Sequence, residues 1–321
     1  MHKILAVAVG PGTTPPVLSN VIQNGHLGTL RVMIQELVKG LKNLGHRDGV
    51  DFDIDYVEGD PPNLKGLIRG AMKAAKPDLI FTVASSALQA ARAATTSIPI
   101  VFAAVSDPIE QKAVKSSCGQ PGTNATGIRT MLRHTAPDCL DLFKAMVPSL
   151  KQVYALHQPK FPSAVAAYKR LKQAGKRLGV AFAPMLVRTQ ADIAERLRGL
   201  SQAGPTGKPR VGILVPPDDL VVSGGQNLIQ IAHSKGIPTF FPVVEFVNTT
   251  PHSALGAYGI PSQVSGEAVA YLVHKILKGA NPRYLPVKRA GGFEWAVNKA
   301  VAEKLNITIP AHILQAADRV V

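Results

Sequence analysis

The stretch VASSALQAARAATTSIPIVFAAVSDP, residues 83–108, contains a strand end, a helical run and a second apolar strand, in that order. Strand, helix and strand in succession predict a parallel βαβ unit. Small polar residues follow both strands: Ser85 and Ser86 after the first, and Ser106 and Asp107 after the second. Ligands of open parallel sheets bind beyond the carboxyl ends of the strands, so we expect these four residues at a binding site.

Helix capping is the alternative interpretation of the same residues. Ser and Asp are favoured N-cap residues whether or not a ligand binds, and for either strand alone capping is the better interpretation. The same ending on two neighbouring strands favours a site. The helix after Ser85 would also direct free N–H groups and the positive end of its dipole towards that edge.

Strand-like and helix-like runs alternate along the whole chain, which predicts an α/β protein. Such alternation is typical of parallel sheets that are covered by helices on both faces. Strands are predicted at 3–9, 52–57, 78–83, 99–104, 152–156, 180–187, 210–215, 238–241 and 254–258, and helices at 29–44, 62–75, 86–95, 137–147, 162–178, 190–202, 224–235 and 263–279.

The alternation is interrupted at residues 116–128, a cluster of Gly, Pro, Ser, Thr and Asn, and then restarts. We therefore predict two doubly wound, open parallel-sheet lobes joined by a three-segment hinge. The three crossings are predicted near 125–129, 242–252 and 284–290. The N-terminal lobe is expected to contain residues 1–127 and about 248–285, and the C-terminal lobe residues 128–247 and about 286–321.

Composition narrows the classes of partner. The 321 residues carry a formal net charge of +15 and are 46% hydrophobic. Lys and Arg are scattered over the predicted helices without interleaved aromatic residues for base stacking, so we expect a solvated basic face and no nucleic-acid partner. No apolar run is long enough to span a membrane.

Motifs for catalysis and metal binding are absent from the sequence. It contains no GxSxG, HExxH, P-loop or strand-following GxGxxG motif, so we expect no enzyme activity, no cofactor and no metal. Cys118 and Cys139 lack the spacing of a metal site. One disulfide or two separate thiols would both fit; we predict a disulfide, because an exported protein meets oxidising conditions.

Polar residues also follow strands of the C-terminal lobe. The candidates there are His157, Gln158, Asp218 and Asp219, and, around the last two strands, Phe241, Glu245 and Tyr258. As alternatives, Asp218 and Asp219 would be turn residues and Phe241 would be a core residue. For the histidine, lining a pocket is favoured over catalysis.

Six stretches match one known family, and they are spread over nearly the whole chain. They are LVKGLKNLGHRDGVDFDIDYVEGD (37–60), KPDLIFTVASSALQAARAATTSIPIVFAAVSDPI (76–109), PGTNATGI (121–128), VPPDDLVV (215–222), ALGAYGI (254–260) and ILKGANPRYLPV…FEWAVNKAVAEKLNITIPAHILQAADRVV (276–321). In these stretches the chain resembles ABC transporter substrate-binding proteins, in particular the tryptophan- and tyrosine-type binding proteins. The resemblance implies a fold like that of type I periplasmic binding proteins, with a ligand between two lobes.

The resemblance also implies roles for single residues. Ser85, Ser106 and Asp107 match polar positions after the third and fourth strands, and Asp218 matches an acid suited to a ligand ammonium. Three departures count against an aromatic amino acid as the ligand. They are His-Gln-Pro-Lys-Phe at 157–161, Phe-Phe-Pro-Val-Val-Glu at 240–245 and a longer first loop at 10–28.

Three functions from different classes follow from these observations. The leading hypothesis is a non-catalytic, extracytoplasmic solute receptor that traps a small polar molecule, amino-acid-like or a carboxylate, for an ABC importer. It implies a permease partner, a monomer, and a periplasmic or other extracytoplasmic location with the signal peptide removed. The alternatives are a cytosolic ligand-sensing domain of a regulator, which no helix-turn-helix segment supports, and an α/β enzyme that uses Asp218, His157 or Asp107 as acid or base.

Overall fold

The computed structural model describes residues 1–10, 29–116, 120–200 and 209–321. Within them the chain forms two compact units. Unit 1 contains Met1–Met131 and Ser262–Gly292, and unit 2 contains Leu132–Pro261 and Phe293–Val321. The chain thus passes from one unit to the other three times.

Strands and helices alternate through most of the described chain. The strands are β1 (His2–Val9), β2 (Phe52–Gly59), β3 (Leu79–Val83), β4 (Ile100–Val105), β5 (Ala125–Arg129), β6 (Gln152–His157), β7 (Ala181–Leu186), β8 (Val211–Leu214), β9 (Thr239–Phe241), β10 (Gly256–Gly259), β11 (Lys288–Arg289), β12 (Glu294–Val297) and β13 (Arg319–Val320). The α-helices are α1 (Thr29–Asn43), α2 (Pro61–Ala75), α3 (Ser85–Ala94), α4 (Leu132–Met146), α5 (Pro162–Leu178), α6 (Gln190–Arg198), α7 (Asp219–Ser223), α8 (Gly225–Ser234), α9 (Ser262–Leu277), α10 (Lys299–Lys304) and α11 (Ala311–Ala316).

Unit 1 is a parallel sheet of six strands in the order β11-β5-β4-β3-β1-β2. The core on one face joins apolar residues of α2 and α3 to alternate residues of the strands. Helices α1 and α9 pack against each other, and α9 also packs on β4 and β5. Because the strands are parallel, β1–β5 all end at one edge, which we call the carboxyl edge of unit 1.

Unit 2 is a sheet of seven strands in the order β13-β12-β10-β9-β8-β6-β7, parallel except for the β10–β12 pair. One core contains residues of α4, α5 and α10, and the other contains residues of α6, α7 and α8. Strand alternation assigns neighbouring residues to opposite faces: Phe240 lies in the first core and Phe241 in the second.

The α/β fold class with mostly parallel sheets is confirmed, but the predicted boundaries were misplaced. The loop-like segment 116–128 includes the start of β5, which pairs with β4 and therefore stays in unit 1. Residues 248–261 belong to unit 2, not to the N-terminal lobe, because β10 pairs with β9 and β12. Residues 286–292 belong to unit 1, because β11 pairs with β5.

One local prediction also differs from the structure, and another lies partly outside the described residues. Helix α4 begins at Leu132, five residues before the predicted start, and contains Pro137 in its interior. Cys139 is a buried thiol, free among the described residues, and burial raises its pKa; Cys118, its predicted disulfide partner, lies outside the described residues.

In the described part of the chain, no helix is both long and apolar enough to cross a membrane. Over the same residues, no group of three or more His, Cys, Asp or Glu side chains could hold a metal ion.

Candidate ligand-binding site

The start of α3 lies at the carboxyl edge of unit 1. Ala84 is the N-cap residue, and no side chain caps the helix. Ser85 is therefore the first helical residue and not the cap, which removes the capping interpretation for its hydroxyl. The uncapped first turn leaves backbone N–H groups and the positive end of the dipole for an acceptor group.

The backbone is strained at the ends of β3 and β4. Ala84 has φ 79° and ψ 166°, a region that is almost restricted to glycine. Ala104, near the end of β4, has φ 56°, and the β4–β5 register is irregular between Phe102 and Val105. Strain of this kind costs about 1–3 kcal/mol per residue and clusters at functional sites. Its occurrence beside both predicted strand endings supports a site there.

Gln111 connects the two strand endings. Its Nε2 donates a 2.7 Å hydrogen bond to Oγ of Ser85, and Ser85 is buried. Oε1 of Gln111 is buried and has no hydrogen-bond partner among the described residues. A buried amide oxygen without a partner is costly and would accept a donor from a ligand. Gln111 was not among the predicted site residues, because its only signal in the sequence is its place in the turn after Ser106 and Asp107.

The other predicted residues of this edge divide into two kinds. Ser86 and Ser106 are buried at the edge, and their contact with a ligand stays a prediction. Asp107 instead closes a turn, because its Oδ1 accepts hydrogen bonds from the amides of Ile109 and Glu110, both at 3.0 Å. Asp107 therefore has a structural role in the turn after β4, and its contact with a ligand stays a prediction.

Glu58, at the end of β2, is a charged group of this edge that the sequence analysis did not select. It accepts a short hydrogen bond from the Tyr56 hydroxyl. Burial raises the pKa of the Glu58 carboxyl, an effect that the Tyr56 hydrogen bond opposes. Burial and the neighbouring Glu58 also raise the pKa of Tyr56.

In unit 2, Asp218 and Gln158 form one hydrogen-bonded group. Oδ2 of Asp218 accepts from the Gln158 amide at 2.7 Å, and Oδ1 accepts from Nε2 of Gln158 at 3.0 Å. Oδ1 also accepts from the amides of Leu220 and Val221, which makes Asp218 the N-cap of α7. Asp218 is 1% exposed. Its carboxylate therefore holds the loop after β6 to the start of α7.

The buried environment of Asp218 has an electrostatic consequence. Burial raises the pKa of its carboxyl, and the hydrogen bonds from Gln158 and Val221 and the charge of His157 oppose this rise. With both oxygens already accepting hydrogen bonds inside unit 2, Asp218 is a positioning residue for Gln158. It does not present the free carboxylate that the family resemblance implied for a ligand ammonium.

His157, the last residue of β6, has one nitrogen without a partner. Its Nδ1 donates to the Gln158 carbonyl at 2.9 Å, so Nε2 is the ring nitrogen that is left for a further hydrogen bond. Nε2 is buried and has no partner among the described residues, and the ring packs on Tyr168 at 5.2 Å. His157 can thus form one hydrogen bond with a bound molecule.

The remaining candidates of unit 2 occupy different places. Asp219 is the first residue of α7. Phe241 is fully buried and stacks on Phe246 at 4.3 Å, so its assignment to the ligand site was wrong and the core alternative holds. Glu245 is half-buried in a short 3₁₀ helix, Val244–Phe246. Tyr258 stacks on Phe293 and packs against the α4–α5 core.

Comparison with known proteins agrees with this architecture. A family model described as "ABC transporter substrate binding protein" matches residues 21–321. A tyrosine-binding protein of Clostridioides difficile (strain R20291) is 25% identical over 272 residues, which cover 84% of this chain and 75% of that protein. This match favours the receptor hypothesis over the regulator hypothesis.

Two crystal structures show the same fold over nearly their whole length. A conserved domain protein from Vibrio cholerae O1 biovar El Tor is 26% identical, with a TM-score of 0.81 and coverage of 100% of this chain and 99% of that one. A domain from Streptococcus pneumoniae in complex with L-Trp is 23% identical, with a TM-score of 0.77 and coverage of 99% and 100%. With a family match over all but the first twenty residues, this chain belongs to the ABC transporter substrate-binding protein family.

Proposed function

We propose that the protein is a non-catalytic receptor that binds an amino acid or a related small carboxylate outside the cytoplasm and delivers it to an ABC permease. Family membership supports the transport role, and relatives described as binding tyrosine or L-Trp support an amino-acid-like ligand. The observation that carries the ligand class is the uncapped start of α3 beside Ser85 and Gln111.

The ligand carboxylate is proposed to bind at the first turn of α3. Backbone N–H groups of a helix N-terminus and a serine hydroxyl are donors suited to a carboxylate. Oε1 of Gln111 can accept an N–H from the same molecule, while Nε2 keeps Ser85 in place. Ser86 and Ser106 are proposed to line the same edge, with Asp107 as a turn residue behind them.

The carboxyl edge of unit 2 is proposed to offer ligand contacts of its own through His157 and Gln158. His157 has a buried Nε2 without a partner among the described residues. Asp218 acts on the ligand only through Gln158, whose side-chain amide and backbone it holds. No residue of this arrangement is proposed to act as a nucleophile or base.

Titration calorimetry with a panel of amino acids, small carboxylates and sugars tests the proposal. We expect Ser85→Ala and Gln111→Ala each to weaken binding, because losing one hydrogen bond costs about 0.5–1.5 kcal/mol, and about 1.5–3 kcal/mol if the partner is charged. Ser97→Ala is the matched control, because Ser97 precedes β4 at the opposite end of the same sheet. Unchanged affinity in both test variants would place the site elsewhere and leave Ser85 with a structural role only.

A further inference from the structure

A cavity lies within unit 2, beside the end of β10 and the start of β12. Its volume is about 270 Å³. The residues that line it come from α4, β10, β12 and the segment before β13: Asp138, Asp141, Leu142, Tyr258, Trp295 and Asp318.

Two aromatic rings form one wall of this cavity. Tyr258 and Trp295 are register partners in the antiparallel β10–β12 pair, and Phe293 stacks on Tyr258 at 5.3 Å. Trp295 is only 7% exposed, and its indole Nε1 has no hydrogen-bond partner among the described residues. A buried indole N–H normally finds an acceptor, so this donor is available to a molecule in the cavity.

Three carboxylates form the rest of the polar lining, and two of them already have partners. Asp141 accepts two 2.7 Å hydrogen bonds from Nη2 of Arg177, and Asp318 accepts from the Trp295 amide at 2.8 Å. Asp138 has neither a hydrogen bond nor an ion pair with any described residue. Burial and the neighbouring Asp141 raise the pKa of Asp138, so a cation beside this carboxyl group would stabilise its ionised form.

The lining excludes a metal ion and favours an organic cation. No three acidic groups of the described chain stand close enough to hold a metal. Aromatic faces beside a carboxylate instead suit an ammonium group, which gains both ion pairing and cation–π attraction. The free indole N–H adds the need for an acceptor atom in the same molecule.

We propose that this cavity binds a small amino alcohol, such as ethanolamine or choline. Asp138 is its counter-ion, the ring of Tyr258 packs on the ammonium group, and Nε1 of Trp295 donates to the hydroxyl oxygen. The site differs in residues and in ligand charge from the carboxylate site proposed at α3, so both can be occupied together.

The chain contains a single tryptophan, so its intrinsic fluorescence reports directly on this cavity. Titration of the full chain with ethanolamine or choline is expected to give a saturable fluorescence change, whereas NaCl at equal ionic strength gives none. Asp138→Asn, which is nearly isosteric, is expected to weaken this binding about 10- to 100-fold, as for the loss of a charged partner. Asp48→Asn, at a surface ion pair with Lys42 in unit 1, is the control and is expected to bind as the wild type does.

Two further experiments test the role of the Tyr258 ring and the alternative that the cavity binds a lipid headgroup. Tyr258→Phe keeps the ring and is expected to keep binding, whereas Tyr258→Leu loses it; circular dichroism checks that both variants fold. Co-sedimentation with phosphatidylcholine vesicles tests whether the cavity binds a lipid headgroup. We expect no co-sedimentation, because the proposed ligand is the free amino alcohol. No saturable change with either amine, or equal affinity in Asp138→Asn, would overturn the proposal.

Discussion

Ser85 and Asp218 occupy similar places in the sequence, but their side chains have different roles. Each lies just after a buried strand and at the start of a helix. Asp218 caps α7 through two backbone amides, whereas Ser85 stands one position past the cap and binds Gln111. A shift of one residue at the helix start therefore separates a structural group from a candidate ligand contact.

His233 gives the chain a predicted sensitivity to acid. Burial, and secondarily the charges of His252 and Lys304, lower its pKa from 6.5 to about 4. Between pH 6.5 and 4 the unfolded chain therefore binds a proton at His233 that the folded chain does not bind. The free energy of unfolding is not reduced by this proton above pH 6.5, and it falls as the pH is lowered towards 4. The full effect is about 3 kcal/mol.

Denaturant unfolding at several pH values measures this effect. We expect the unfolding free energy of the wild type to fall more steeply between pH 6.5 and 4 than that of His233→Gln. The range between pH 7 and 8 is the control, because His233 is neutral there in both the folded and the unfolded state. In that range the unfolding free energies of the two proteins should change with pH at the same slope. Equal slopes in the acidic range would contradict the assignment.

At the scale of elements, α1 and α9 are held together by close backbone approach. A Cβ atom added to Gly40 would lie 2.4 Å from Cβ of Ala270, and one added to Gly266 would lie 2.3 Å from Cβ of Glu36. Contacts below 3 Å require something to move. These two glycines therefore set the distance at which α9 crosses α1 above the sheet of unit 1.

The substitution Gly40→Ala tests this packing against a matched helical glycine. We expect Gly40→Ala to destabilise the protein by about 1–3 kcal/mol, the usual cost of overpacking. Gly66→Ala, on the exposed face of α2 where an added Cβ meets no atom within 4 Å, should stabilise it by roughly 0.5–1 kcal/mol. Thermal unfolding measures both, and the same sign for the two variants would refute the argument.

At the scale of the whole molecule, neither unit is a continuous stretch of chain. Unit 1 needs residues 262–292 and unit 2 needs residues 293–321 to complete their sheets and cores. The buried apolar side chains that α9 adds to unit 1 are Val269, Ala270, Leu272, Val273 and Ile276. Burying a large apolar side chain contributes about 1.5–3 kcal/mol, so α9 contributes an amount comparable to the total stability of a typical domain, about 5–15 kcal/mol.

A chain truncated after Pro261 should therefore fail to fold cooperatively. It lacks α9 and β11 of unit 1, and β12 and β13 of unit 2. Calorimetry and near-ultraviolet circular dichroism of the truncated and the full chain compare them directly. A sharp thermal transition with native aromatic signals in the truncated chain would show that one unit folds without its C-terminal part.

Most described strands and helices of the first 280 residues follow from local pattern. Alternating apolar runs placed β1–β4, β6–β10 and most helices to within a few residues, because burial on a sheet or helix face repeats over 2 to 3.6 residues and is visible in any short window. The same reasoning placed Ser85, Ser106 and Gln158 at strand ends. Short strands with little periodicity, such as β5, β11 and β13, have too few residues to show a repeat.

Contacts between distant residues decided the rest, and no local window contains them. Whether residues 125–129 cross between units or pair with β4 depends on hydrogen bonds to a strand about twenty residues earlier. The bond between Gln111 and Ser85 spans 26 positions, and that between Gln158 and Asp218 spans 60. Residue type and turn position show that these groups can form hydrogen bonds. Only the tertiary structure determines which groups become their partners and which atoms remain free for a ligand. The reason is that a hydrogen bond requires two groups within about 3 Å, whatever their separation along the chain.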